Sequence, residues 1–288
     1  MGVRVLAEYP FQSNFFQIDD HKIHYIDEGE GPVIVMVHGN PTWSYYYRNL
    51  ISLLSPTHRV IAIDHMGCGL SDKPQKYDYT LKNHRDNLVA LLDNLGVEKY
   101  SLVVHDWGGA IGVGCAGIAP ERLEKLVVLN TAAFRSKRIP FRISLCKNKF
   151  FGELLVRGLN GFAMPAVFMA VRKPLKKEVA QSYLAPYSNW ENRIAVHRFV
   201  KDIPLKEDHP SYTTLVKVEA GLKKIAKLKL PTLILWGGKD FCFNDSFYAE
   251  WCRRMKHAKT VYYKDGGHYI LEDELEDISS RLLKFFND

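Results

Sequence analysis

The stretch VVHDWGG, Val103 to Gly109, puts a carboxylate at a conspicuous place. Asp106 stands between an apolar run that reads as a strand, YSLVVHD, and a run of small residues that reads as a helix, WGGAIGVGCAGIAP. A strand–turn–helix elbow of pattern small-x-nucleophile-x-Gly exposes its central side chain at the end of a sheet. Val104-His105-Asp106-Trp107-Gly108 fits it, apart from Val104 at the first small position. An aspartate at a strand end can also serve only as a helix N-cap. A serine at the turn would attack a planar carbonyl. A carboxylate is a weaker base, competent to displace a leaving group at saturated carbon and form an alkyl ester. The residue type therefore points to a carbon–halogen bond or a strained carbon–oxygen bond. Where the ester is then hydrolysed, a histidine must activate water.

A nucleophile of this kind needs an acid and a histidine later in the chain, in that order. LILWGGKDF places Asp240 after a later strand, and YYKDGGHYI places His268 in a Gly-rich loop after the last one. The strand ending VVLN closes on Asn130 and is followed by TAA, with no carboxylate, so Asp240 is the favoured orienting acid. Asp245 ranks second, being further from the strand end. In VHGNPTW, His38 and Gly39 hold the position that supplies a backbone N–H to an oxyanion. Asn40 adds an amide donor and Trp107 an indole donor, and two such donors aimed at one pocket can hold a forming anion. Otherwise Asn40 is a turn residue before Pro41 and Trp107 a core aromatic.

The elements that must position these groups are legible. FFQID and KIHYIDE alternate and predict a hairpin around Asp20 and His21. PVIVMVHG, RVIAID, YSLVVHD, LEKLVVLN, PTLILWGG and TVYYKD predict strands, the most apolar of them buried on both faces. WSYYYRNLISLLS and TLKNHRDNLVALLDNLG predict helices, and EDELEDISSRLLKFF a closing amphipathic one. The expected fold class is α/β, with a mostly parallel, doubly wound sheet. From about Ala133 to Leu222 the rhythm breaks into helical patterns without strands. The expected organisation is a core of residues 1–132 and 223–288 with an inserted helical cap at 133–222. Between Phe134 and Lys206 lie 15 basic and 4 acidic residues, while the rest of the chain holds 24 and 28. That basic segment is a solvated face or a surface for anions. No nucleic-acid motif accompanies it. Five scattered cysteines without CxxC spacing argue for a reducing compartment, with no disulfide framework and no zinc site. MGVRVLAEYPF has no apolar leader run, and Leu6 breaks an acylation pattern at Gly2. No apolar stretch is long enough to span a bilayer. The expected location is cytoplasmic.

HGNPT, HDWGG, Asp240 and His268 together resemble the α/β-hydrolase-fold haloalkane dehalogenases, in the subgroup that pairs an Asn with a Trp as halide-stabilising donors. VLNTAAF, YLAPYSNWENRIAVHRFVKDIPL and LILWGGKDFCFNDSFYAEW look like the β-lactone decarboxylases of long-chain olefin biosynthesis. That resemblance implies conversion of cis-3-alkyl-4-alkyloxetan-2-ones to cis-alkenes and carbon dioxide. It implies a small hydrophobic substrate, no cofactor or metal, and association with other enzymes of an olefin pathway. In GLNGFAMPAVFMAV, Phe162, Met164, Phe168 and Met169 are candidates to line an acyl-chain tunnel, or else pack the cap onto the core. Arg193 and Arg198 are candidates to hold a carboxylate or a partner, or else are structural. Three alternatives remain. They are a haloalkane dehalogenase using the same five residues, an epoxide hydrolase using Tyr183 or Tyr187 as acids, and a non-catalytic binding protein.

Overall fold

The protein is described by a computed structural model covering residues 6–288. Residues 1–5, part of the segment read above for a leader or acylation at Gly2, lie outside the described residues. Strands β1 (Asn14–Ile18) and β2 (His21–Glu28) form the hairpin, with Ile18 opposite His21. β3 (Val33–Val37), β4 (Arg59–Ile63), β5 (Tyr100–Asp106), β6 (Leu123–Thr131), β7 (Thr232–Gly237) and β8 (Lys259–Tyr263) follow. The eight lie in the order β1-β2-β4-β3-β5-β6-β7-β8. From β4 to β8 every pairing is parallel. β5 and β7 are buried at every position, which is why they read as unbroken apolar runs.

Helices α1 (Arg48–Leu54), α2 (Leu81–Asn94) and α3 (Trp107–Ala116) connect the first strands. WSYYYRNLISLLS is not one helix: Ser44–Tyr47 form a tight 3₁₀ turn before α1. Thr80 caps α2 by accepting the Asn83 N–H. Between β6 and β7 the chain carries α4 (Phe141–Cys146), a π-helical turn at Leu154–Gly158, α5 (Ala163–Met169), α6 (Lys177–Leu184), α7 (Ile194–Lys201) and α8 (Tyr212–Leu228). α8 is unbroken and packs on α2 and α3, so the boundary expected at 222/223 falls inside a helix. The reason is a close glycine contact: a Cβ on Gly221 would lie 2.8 Å from the Cα of Gly117, just past α3.

α9 (Asp245–Arg254), α10 (Ile270–Asp273) and α11 (Leu275–Asn287) complete the chain. The expected closing helix is broken at Glu274, because Asp273 turns inward. Its carboxylate accepts N–H bonds from Arg172 (2.8 Å), Lys173 (2.8 Å) and Gly267 (2.7 Å). Among the described residues no helix is long and apolar enough to cross a membrane.

Candidate active site

β5 ends at Asp106, and α3 begins at the next residue. The turn forces Asp106 to φ 52° and ψ −125°, a conformation L-residues rarely adopt and that costs on the order of 1–3 kcal/mol. Thr131, at the end of β6, donates its hydroxyl to the Asp106 carbonyl and holds the turn. Close backbone approach explains the flanking glycines. A Cβ on Gly108 would lie 1.9 Å from the Val37 carbonyl oxygen, and one on Gly39 would lie 2.0 Å from Asp106 Oδ1.

The Asp106 carboxylate is buried and asymmetrically held. Oδ1 accepts the Asn40 backbone N–H at 2.6 Å, and the Trp107 backbone N–H also bonds the carboxylate. The backbone donor after β3 is therefore Asn40, one residue beyond the expected pair. Gly39 N–H instead turns to Thr42 Oγ1, and His38 packs inward, its Nε2 accepting the His65 N–H. Oδ2 faces His268 Nε2 at 3.6 Å, a charge contact too long for a hydrogen bond. His268 Nδ1–H donates to Asp240 Oδ2 at 2.7 Å. The other oxygen of Asp240 accepts the N–H groups of Cys242 (2.6 Å) and Phe243 (3.1 Å). Asp106, His268 and Asp240 thus form one chain of contacts. Asp245 is apart from it, exposed at the start of α9 and bonded to the Tyr262 hydroxyl.

Two groups not singled out from the sequence support this chain. Asn130 clamps the ends of β6 and β7, accepting the Gly237 N–H (2.8 Å) and donating to its carbonyl (3.0 Å). This fixes the start of the loop that carries Asp240. His105, the residue before Asp106, donates Nε2–H to the His268 carbonyl at 2.8 Å and packs against the His268 ring at 4.5 Å. Its own pKa is driven well down by burial and by His268, so it is a neutral donor.

Burial raises the pKa of Asp106, against the lowering pull of His268 and the two backbone donors. Burial pulls His268 down, but Asp240 and then Asp106 outweigh it, and its pKa is raised.

Two apolar cavities meet at the site, the first against the carboxylate and the second against His268. One, of about 150 Å³, is lined by Asp106, Trp107, Phe134, Leu215 and Phe247 among others. The second, of about 230 Å³, is lined by His268, Leu155, Pro165 and Met169 among others. Asn40, Ile143, Phe162 and Cys242 line both. Asn40 Nδ2 donates one hydrogen to the Val196 carbonyl at 3.1 Å, leaving the second available, and its buried Oδ1 has no partner among the described residues. Of the four tunnel candidates, Phe162 and Met169 line cavity walls. Met164 and Phe168 point away, 50% and 72% exposed, since they share the opposite face of α5 at a spacing of four. The tyrosines of the epoxide-opening alternative are spoken for. Tyr183 donates to Glu272 and Tyr187 to the Thr42 carbonyl, and neither lines a cavity. Arg193 is structural, bonded to the carbonyls of Tyr187, Arg157 and Ser188, and Arg198 is exposed outside both cavities.

A family model described as alpha/beta hydrolase fold matches residues 32–275. The cis-3-alkyl-4-alkyloxetan-2-one decarboxylase of Shewanella oneidensis is 48% identical over 286 residues, covering 97% of this chain and 89% of that protein. The protein of the same name from Xanthomonas campestris is 40% identical over 265 residues, covering 88% of each. A solved haloalkane dehalogenase from Bradyrhizobium elkani superposes with a TM-score of 0.86 at 25% identity, over 96% of this chain and 97% of the other. The chain belongs to the α/β-hydrolase fold family, among its haloalkane-dehalogenase-like members.

Proposed function

We propose that this chain is a β-lactone decarboxylase, converting a cis-3-alkyl-4-alkyloxetan-2-one to a cis-alkene and carbon dioxide. The observation that carries the reading is an aspartate whose Oδ1 is pinned by the Asn40 N–H and whose Oδ2 faces His268 at 3.6 Å, in an apolar, two-sided site. The decarboxylase names of the relatives at 48% and 40% identity support it. Asp106 Oδ2 attacks the ring carbon that bears oxygen, that C–O bond breaks, and a carboxylate is released on the neighbouring carbon. The free Nδ2 hydrogen of Asn40 and the indole N–H of Trp107 hold this carboxylate. Its C–C bond then breaks to give carbon dioxide, the electron pair forms the alkene, and Asp106 leaves as carboxylate. No proton or water is consumed. Inversion followed by anti elimination carries a cis ring to a cis-alkene. Residues 133 to 222 act as the cap that supplies most of the apolar wall. A cytoplasmic location fits the five free cysteines, and partners from the same pathway fit the resemblance.

The test is a parallel assay of a long-chain cis-β-lactone, a 1-haloalkane and an epoxide, following alkene, halide and diol. Alkene from the lactone should far exceed halide release. Halide without alkene would move the chain to the dehalogenases. In water enriched in oxygen-18, a single turnover should leave Asp106 unlabelled. A labelled Asp106 with a β-hydroxy acid as the main product, below the pH at which His268 loses its proton, would mean ring hydrolysis.

The pH dependence follows from His268. In this role its raised pKa keeps the imidazolium present to higher pH, unable to take a proton from water and able to favour departure of Asp106 as an anion. Asp240 is the larger source of the rise, and it remains beside His268 when Asp106 is esterified. As pH climbs through the raised pKa, neutral imidazole appears and can activate water. The β-hydroxy acid share of the product should therefore rise as the pH is taken from below the ordinary imidazole value of about 6.5 to well above it. A product ratio flat across that range would remove this role for the charge.

A further inference from the structure

We infer that the two cavities beside Asp106 are separate chain-binding arms, each taking one of the two alkyl substituents of a single substrate. The lactone as the occupant's core rests on the function proposed above; the two-arm geometry rests on the cavities themselves. Their walls are apolar, and they meet where the chemistry is. Asp106 and Trp107 face the first, His268 faces the second, and Asn40 faces both. Ile143 of α4 and Phe162, just before α5, line both and so form the partition between them. Each wall also includes one exposed arginine, Arg138 in the first and Arg142 in the second, which marks where that arm reaches solvent.

A substrate with one chain, such as a 1-haloalkane, needs only one arm. A four-membered ring with alkyl groups on adjacent carbons needs two. In the cis isomer both chains leave the same face of the ring side by side, so a partition close to the reacting carbons separates them at the start. Burying each chain in its own apolar arm also fixes the ring at Asp106, because rotation about either chain axis would pull the other from its arm.

The test uses unreactive probes and blocks one arm at a time. Ile203, half-buried, lines only the first arm, and Met169, half-buried, only the second. Ile203→Trp and Met169→Trp are titrated calorimetrically with dioctyl ketone and with methyl octyl ketone. Dioctyl ketone should bind about tenfold more weakly to either variant, the effect of denying burial to roughly two methylene groups. Methyl octyl ketone should bind both single variants as it binds the wild type, since its one chain can use the open arm. Only the double variant should weaken it. Should a variant melt below the wild type, Leu205→Phe and Ala166→Phe, on the same respective arms, replace it. Dioctyl ketone binding that ignores either block overturns the proposal. So does one variant that weakens both ketones equally while the other weakens neither, because that is a single channel. A protein that shows the two-arm pattern yet yields no alkene loses only the proposed reaction.

Discussion

Asp106→Ala is expected to lower turnover of every electrophile by about four orders of magnitude or more, the scale of losing a nucleophile that acts with its histidine as one unit. The fold should survive. The substitution removes a buried carboxylate whose ionisation burial already opposes, and this offsets the Asn40 N–H left without its acceptor. Alanine meets the same positive φ as aspartate, so backbone strain at the elbow is little changed. Initial rates with lactone and haloalkane, beside a melting curve, separate the two effects. A correctly folded variant that still turns over lactone well above trace would show that the elbow carboxylate is not the nucleophile.

Asp240→Asn should cost about three to four orders of magnitude in kcat, whereas Asp245→Asn should change it by no more than about twofold. Asp240 receives the Nδ1–H of His268 at 2.7 Å, while two backbone N–H groups hold its other oxygen. An asparagine held by those same N–H groups would point its NH₂ at Nδ1. That arrangement selects the tautomer with the proton on Nε2, the side facing Asp106. It also removes the charge that raises the His268 pKa. Asp245 is exposed and bonded only to the Tyr262 hydroxyl, 17 residues away. Paired kinetics of the two variants decide the assignment. The opposite ranking would hand the orienting role to Asp245.

What could be read in the sequence, and what could not, divides along a physical line. Asp106, Asp240 and His268 stand at the C-terminal ends of strands whose apolar runs are unmistakable, so strand order brings them together. The parts that escaped depend on facing and on partners far away in sequence. In the sequence Asn130 is only a position lacking a carboxylate, yet its amide is shaped to clamp β7 across 107 residues. The apolar segment around α5 announced a lining, but composition does not say which face turns inward, and Met164 and Phe168 proved to be on the other one. The His38-Gly39 pair lies one residue ahead of the actual donor, because only the folded turn shows that the Asn40 N–H is the one aimed at Oδ1. The break at Glu274 was hidden because an inward-turned aspartate looks like any helix-starting acid.

That aspartate ties together parts of the chain that are distant in sequence. Asp273 receives one N–H from the loop that carries His268 and two from the segment following α5. Tyr269, next to His268, also donates its N–H to the Ala170 carbonyl, 2.7 Å away. The histidine loop and the roof over the cavities are therefore one mechanical piece. Swapping in the helical segment of a relative to change chain-length preference would move the histidine as well, unless the acceptor at 273 and its three donors travelled with it. Substrate range and proton chemistry in this protein are inherited together.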